Sequence, residues 1–93
     1  MNSITGVAWA MEAEGLTPGA KLVLILIAGA CDQDGRVFDI DKVQHRANVE
    51  EAMLGQLIDE LRVAGFATPS VGTHPVTGER KACLLILSDE VSA

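Results

Sequence analysis

The cleanest periodicity in the chain lies between residues 49 and 64, where Met53, Leu54, Leu57, Ile58 and Leu61 recur at helical spacing as one apolar stripe. Gly65, tolerant of a left-handed backbone, predicts the stop of that helix. Asn48 followed by Glu51 three residues later has the spacing of a capping box and predicts its start. Just upstream, Ile40, Val43 and Ala47 mark the buried side of a shorter helix, capped by Asp39 or Asp41. From Pro18 to about Ala30 the chain is apolar on every face, which predicts a buried central helix opened by Thr17 as N-cap with Pro18 in its first turn. Residues 4–14 predict a short helix or a turn plus helix, anchored in the core by Trp9 and stopped by Gly15.

Strand patterning begins with Arg36-Val37-Phe38, a minimal strand expected to point Phe38 inward. It follows Asp32-Gln33-Asp34-Gly35, which opens like a calcium loop but lacks the later ligands and the closing Glu, and therefore predicts a turn. Ala67–Val71 and Ala82–Leu87 predict a hairpin across residues 72–79, with Pro75 and Gly78 as turn residues. Leu84 to Leu87 are apolar without alternation, as in a strand covered on both faces or buried at its end. The predicted fold class is α+β in one domain: an N-terminal helix (1–14), a central helix (17–30), a helix-turn-helix (39–66) and a hairpin (67–88).

Composition narrows the function classes. Apolar residues make up 48% of the 93 positions, which suits a packed globule. Aromatics are only Trp9, Phe38 and Phe66, too few for a platform that stacks single-stranded bases. Cys31 and Cys83 stand far apart in apolar runs, as free buried thiols do, and have no zinc-ligand spacing. The longest apolar run, Leu22 to Ala30, is roughly half of a membrane span, and no signal-like N-terminus precedes it. A soluble cytoplasmic protein is the expectation. No metal or cofactor is expected. His45 and His74 lack a neighbouring nucleophile, and the paired acids sit where helix caps and turns belong, so no catalytic residue is expected either.

Charge complicates the picture. Seven Lys and Arg face thirteen Asp and Glu, for a net charge of −6, whereas phosphate binding draws on an excess of cations. Lys42, His45 and Arg46 share one helix face at i, i+3 and i+4, and Arg80 and Lys81 adjoin the hairpin turn.

The element order and several local motifs resemble the winged-helix domains of phage and plasmid replication initiators and related helix-turn-helix regulators. The resemblance runs through Trp9-Ala10, Leu16-Thr17-Pro18, Lys21-Leu22-Val23-Leu24 and the Asp34-Gly35-Arg36 turn. It continues through Leu54, Leu57, Ile58, Leu61 and Ala64-Gly65-Phe66 to a wing tip at Pro75-Val76-Thr77-Gly78, and so covers nearly the whole chain. These are packing and turn signatures, specific for a fold and weak for a function. Recognition helices of that family open with Ser, Arg and Thr-Val; here the corresponding run is Glu50-Glu51-Ala52-Met53-Leu54.

Two expectations follow from the resemblance and its departure. The first is a small DNA-binding regulator from a phage or other mobile element, contacting double-stranded DNA through Lys42, His45, Arg46, Gln56, Arg80 and Lys81. It would act as a homodimer, for which the apolar Ile4–Met11 segment is available. The second is an acidic protein-interaction module that presents Glu50, Glu51, Gly55, Asp59 and Glu60 to a basic host protein, as a phage-encoded inhibitor resembling some anti-CRISPR proteins would. Gly55 has two explanations within this helix: close approach of another backbone, or a flat contact surface for a partner.

Overall fold

The computed structural model describes residues 3–87, so the outermost expected positions, 1–2 and 88, lie outside the described residues. The fold is α+β, with helices α1 (Ser3–Met11), α2 (Pro18–Ala30), α3 (Ile40–Ala47) and α4 (Glu51–Ala64) and strands β1 (Arg36–Val37), β2 (Ala67–Thr73) and β3 (Arg80–Ile86). The three strands form one antiparallel sheet in the order β1-β3-β2. This arrangement is compatible with a small winged-helix-like domain.

Local chemistry accounts for most element ends. Thr17 caps α2, its hydroxyl accepting from the Ala20 N–H at 3.3 Å, and Pro18 fills a position whose N–H would have no helical partner. Asp32 organises the turn before β1: its Oδ1 accepts from the N–H groups of Asp34 and Arg36, both at 2.9 Å, while Gly35 takes φ 79°. Gly65 closes α4 at φ 84°, and the Phe66 N–H donates to the Leu61 carbonyl at 2.9 Å.

β3 is the central strand, which explains its unbroken apolar run. Leu84 and Ile86 face the core with Leu24, Ile27, Leu61 and Val43, all buried. Cys83 points to the other face and is buried there too. Arg36, Leu85, Cys83 and Gly72 share that second face in the strand register. A Cβ on Gly72 would lie 2.7 Å from Arg36 Cδ and 3.4 Å from Phe38 Cζ, so both side chains lie against Gly72 on this face of the sheet. A side chain there would require the Arg36 side chain to move, while the backbone conformation makes no demand for glycine.

Several expectations are corrected by the fold. Asn48 does not open α4. It closes α3 in the left-handed region at φ 56°, its N–H donating to the His45 carbonyl at 3.2 Å, and Glu50 takes the N-cap position of α4 without a side-chain cap. Asp39 precedes α3 but also forms no side-chain cap. Val37, not Phe38, is the residue of β1 that enters the core. The central helix is not buried all round, since Leu22 is 44% exposed. Within the α4 stripe only Leu54 and Leu61 are buried, Leu57 and Ile58 are half-buried, and Met53 is exposed. α1 ends at Met11 rather than residue 14, and the hairpin strands run two residues further, to Thr73 and from Arg80. Of the Ile4–Met11 segment, the Ile4 side chain lies outside the described residues and Met11 is exposed.

Candidate interaction surface

The outward face of α4 carries Ala52, Gly55, Gln56, Asp59 and Val63, all exposed, with Glu50 and Glu51 at its start. Glu51 in the first turn is favoured by the helix dipole. Neither glutamate side chain makes a hydrogen bond or ion pair among the described residues, so both carboxylates are free for solvent or a partner. Gly55 is exposed, and a Cβ built there meets nothing within 4 Å. Among the described residues no other backbone approaches this glycine closely.

The other two acids of the expected partner set are already engaged. Asp59 pairs with Arg62 one turn on, at 2.6 Å to the guanidinium. Glu60 reaches the start of α2, where its two oxygens accept from the Thr17 N–H and the Thr17 hydroxyl, each at 2.8 Å. Thr17 thus donates to Glu60 and accepts from Ala20 with one hydroxyl, joining two helices that are 43 residues apart in sequence. Glu60 therefore has a packing role. The acidic face of α4 reduces to Glu50 and Glu51.

The cations expected to touch phosphate are distributed over α3 and the hairpin. Lys42, His45 and Arg46 are exposed on α3. Lys42 stands 3.9 Å from Asp39, and Lys81 stands 3.9 Å from Glu79, both solvent-exposed contacts of little strength. Arg46 and Arg80 are exposed and have no ion pair among the described residues. Gln56 is exposed on α4, with Gly55 and Asp59 as its outward neighbours. Asp41, Gln44, His45, Asn48 and Val49 line a groove of about 350 Å³ where α3 meets the turn into α4.

His74 has a use that its position in the sequence does not announce. Its Nδ1 accepts from the N–H groups of Val76 and Thr77 at 3.1 and 3.3 Å, and its ring lies against Phe38 with centroids 5.1 Å apart. A bare Nδ1 places the ring proton on Nε2. The imidazole braces the hairpin tip, together with a Gly78 N–H to His74 carbonyl bond at 2.9 Å. An acceptor at i with donors at i+2 and i+3 was available from the spacing, as an Asx-like turn made by a histidine.

Both thiols are free; Cys31 is half-buried, with Sγ donating to the Ala28 carbonyl, and Cys83 is buried. Burial raises the pKa of each above the ordinary value of 9.0. Among the described residues no group of three His, Cys, Asp or Glu is placed to hold a metal ion, and no helix is long and apolar enough to cross a membrane. Comparison with family models, with curated proteins and with solved structures finds no match to this chain.

Proposed function

We propose that this chain is a non-enzymatic interaction domain that docks the exposed start of α4 onto a basic surface of another protein. The observation that carries this is the pair Glu50 and Glu51, exposed at the helix start and engaged by no cation among the described residues. A carboxylate about 4 Å from a phosphate is repelled by about 1 kcal/mol even in bulk water, and by several times that where water is excluded. Such repulsion at the docking end offsets part of what the exposed cations, each worth at most about 1 kcal/mol, contribute. Against a Lys- or Arg-rich protein the same carboxylates attract. A phage-encoded inhibitor of a host nucleic-acid-binding protein is one protein of this kind.

A second reading has its own support. Arg46 and Arg80, exposed and without ion pairs among the described residues, together with Lys42, His45, Gln56 and Lys81, form the contact set of a small DNA-binding regulator. Fluorescence anisotropy separates the two, using a labelled random duplex and a labelled oligo-lysine peptide, each titrated from about 20 to 200 mM salt. The proposal expects no saturable duplex binding at any salt. It also expects peptide affinity that falls about five-fold or more in Glu50→Gln/Glu51→Gln, and an Asp41→Asn control that changes little. Wild-type duplex binding that weakens steeply with salt would overturn it in favour of the DNA reading.

A further inference from the structure

The far end of α4 borders a different feature. Trp9, Glu12, Ala13, Glu14 and Phe66 line an open cleft of about 300 Å³ between the end of α1 and the residue that follows the α4 stop. Trp9 and Phe66 meet edge to face, with centroids 5.9 Å apart and planes at 63°. Both rings are packed against the core cluster while lining the cleft. Glu12 and Glu14 are exposed, or border the exposed rim, and their side chains have no hydrogen bond or ion pair among the described residues.

The placement of these acids is electrostatically unfavourable. They follow the C-terminus of α1, where the helix dipole is negative, and the last turn of α1 holds no basic residue. Gly65 ends α4 immediately before Phe66, so the cleft borders the carbonyl end of a second helix. No Lys, Arg or His lines it. Two aromatic rings, two carboxylates without partners and the C-terminus of α1 thus border one space that no cation among the described residues lines; Arg62 in the last turn of α4 is held by Asp59.

We propose that this cleft is a binding site for a cationic side chain, above all an arginine, of a bound polypeptide. A planar guanidinium would lie against the aromatic surface and donate to Glu12 and Glu14, combining cation–π and charge-assisted contacts. The site goes beyond docking at the start of α4, lies at the other end of that helix, and stands or falls separately.

Trp9 is the one tryptophan of the chain, so its emission reports on the cleft directly. The test titrates N-acetyl-arginine amide against the whole protein, with the neutral isostere N-acetyl-citrulline amide as control. A saturable change in Trp9 emission with a dissociation constant of order 1 mM is expected for arginine and none for citrulline. Glu12→Gln/Glu14→Gln should weaken it about ten-fold, with an unchanged thermal melt showing that the fold is intact. Glu50→Gln/Glu51→Gln should leave the titration as in the wild type. A linear response, an equal response to citrulline, or equal affinity in Glu12→Gln/Glu14→Gln would overturn the proposal. A signal lost only in Glu50→Gln/Glu51→Gln would overturn it too, while leaving docking at the start of α4 standing.

Discussion

Gly55→Ala is the sharpest test of how α4 is presented. Position 55 lies well inside α4, is exposed, and offers open space to a Cβ for at least 4 Å. The substitution therefore adds a methyl group that clashes with nothing and removes the conformational freedom that glycine retains in the unfolded chain. Alanine is favoured over glycine in a helix interior by about 1 kcal/mol. Because the substitution disturbs no packing, that difference should appear almost whole in the folding free energy. For a domain of this length it raises the melting temperature by about 4–8 °C. In urea it moves the midpoint up by about 0.3–1 M at unchanged slope. Calorimetry and urea titration followed by Trp9 emission both read the effect. A lower melting temperature, or none of the expected gain, would refute the claim that this face of the helix is open. Among the described residues the fold supplies no packing reason for glycine here.

Two further outcomes test the sheet and the thiols. Gly72→Ala places a Cβ 2.7 Å from Arg36 Cδ, so the flexible Arg36 side chain must shift, and the cost in urea unfolding should be about 1 kcal/mol, at the low end for overpacking. Most of that cost should vanish in an Arg36→Ala background, because the crowding atoms belong to the Arg36 side chain, whose Nε is buried without a hydrogen-bond partner; equal costs in both backgrounds would remove the crowding as the cause. Burial raises both thiol pKa values above 9.0, so as pH climbs past about 9 the unfolded chain loses protons that the folded chain keeps, and stability falls. The wild type should lose urea resistance between pH 8 and about 10.5 more steeply than Cys31→Ala/Cys83→Ala does, and parallel profiles would show that thiol burial does not set the slope.

The features legible in the residues are mostly local. Thr17-Pro18 opens α2 and Gly65 closes α4, because each depends on neighbours within a few positions, whereas the apolar run of Leu84 to Ile86 marks a covered strand whose central place in the sheet only the fold gives. Asn48 points the wrong way for a physical reason. The same short amide side chain serves as an N-cap and tolerates the left-handed backbone, and only the chain path decides which of two adjacent helices it serves. Gly72 carries no local signal at all, since its neighbour Arg36 comes from β1, across β3. The bond from Thr17 to Glu60, with a sequence separation of 43, is equally invisible to any window of periodicity.

The charge balance shows most plainly why composition alone could not locate a site. A net charge of −6 says that acids are in excess, not which of them are available. The fold occupies Asp32 in a turn, Glu60 on the α2 cap, and Asp34, Asp39, Asp59 and Glu79 with nearby cations. The unpaired acids that remain among the described residues are Glu12 and Glu14 beside the aromatic cleft, Asp41 on α3, and Glu50 and Glu51 at the start of α4. These five are the carboxylates a docking partner meets without displacing an existing contact, whereas Asp32 and Glu60 keep their charge but are held by neutral donors. Four of the five lie in pairs, Glu50 and Glu51 at the start of α4 and Glu12 and Glu14 after α1, in the cleft that Phe66 lines beyond the end of α4. A polypeptide with two basic clusters could engage both pairs at once. Neutralising one pair would then weaken capture by more than it weakens binding of a single arginine, because the second contact gains from the effective concentration created by the first.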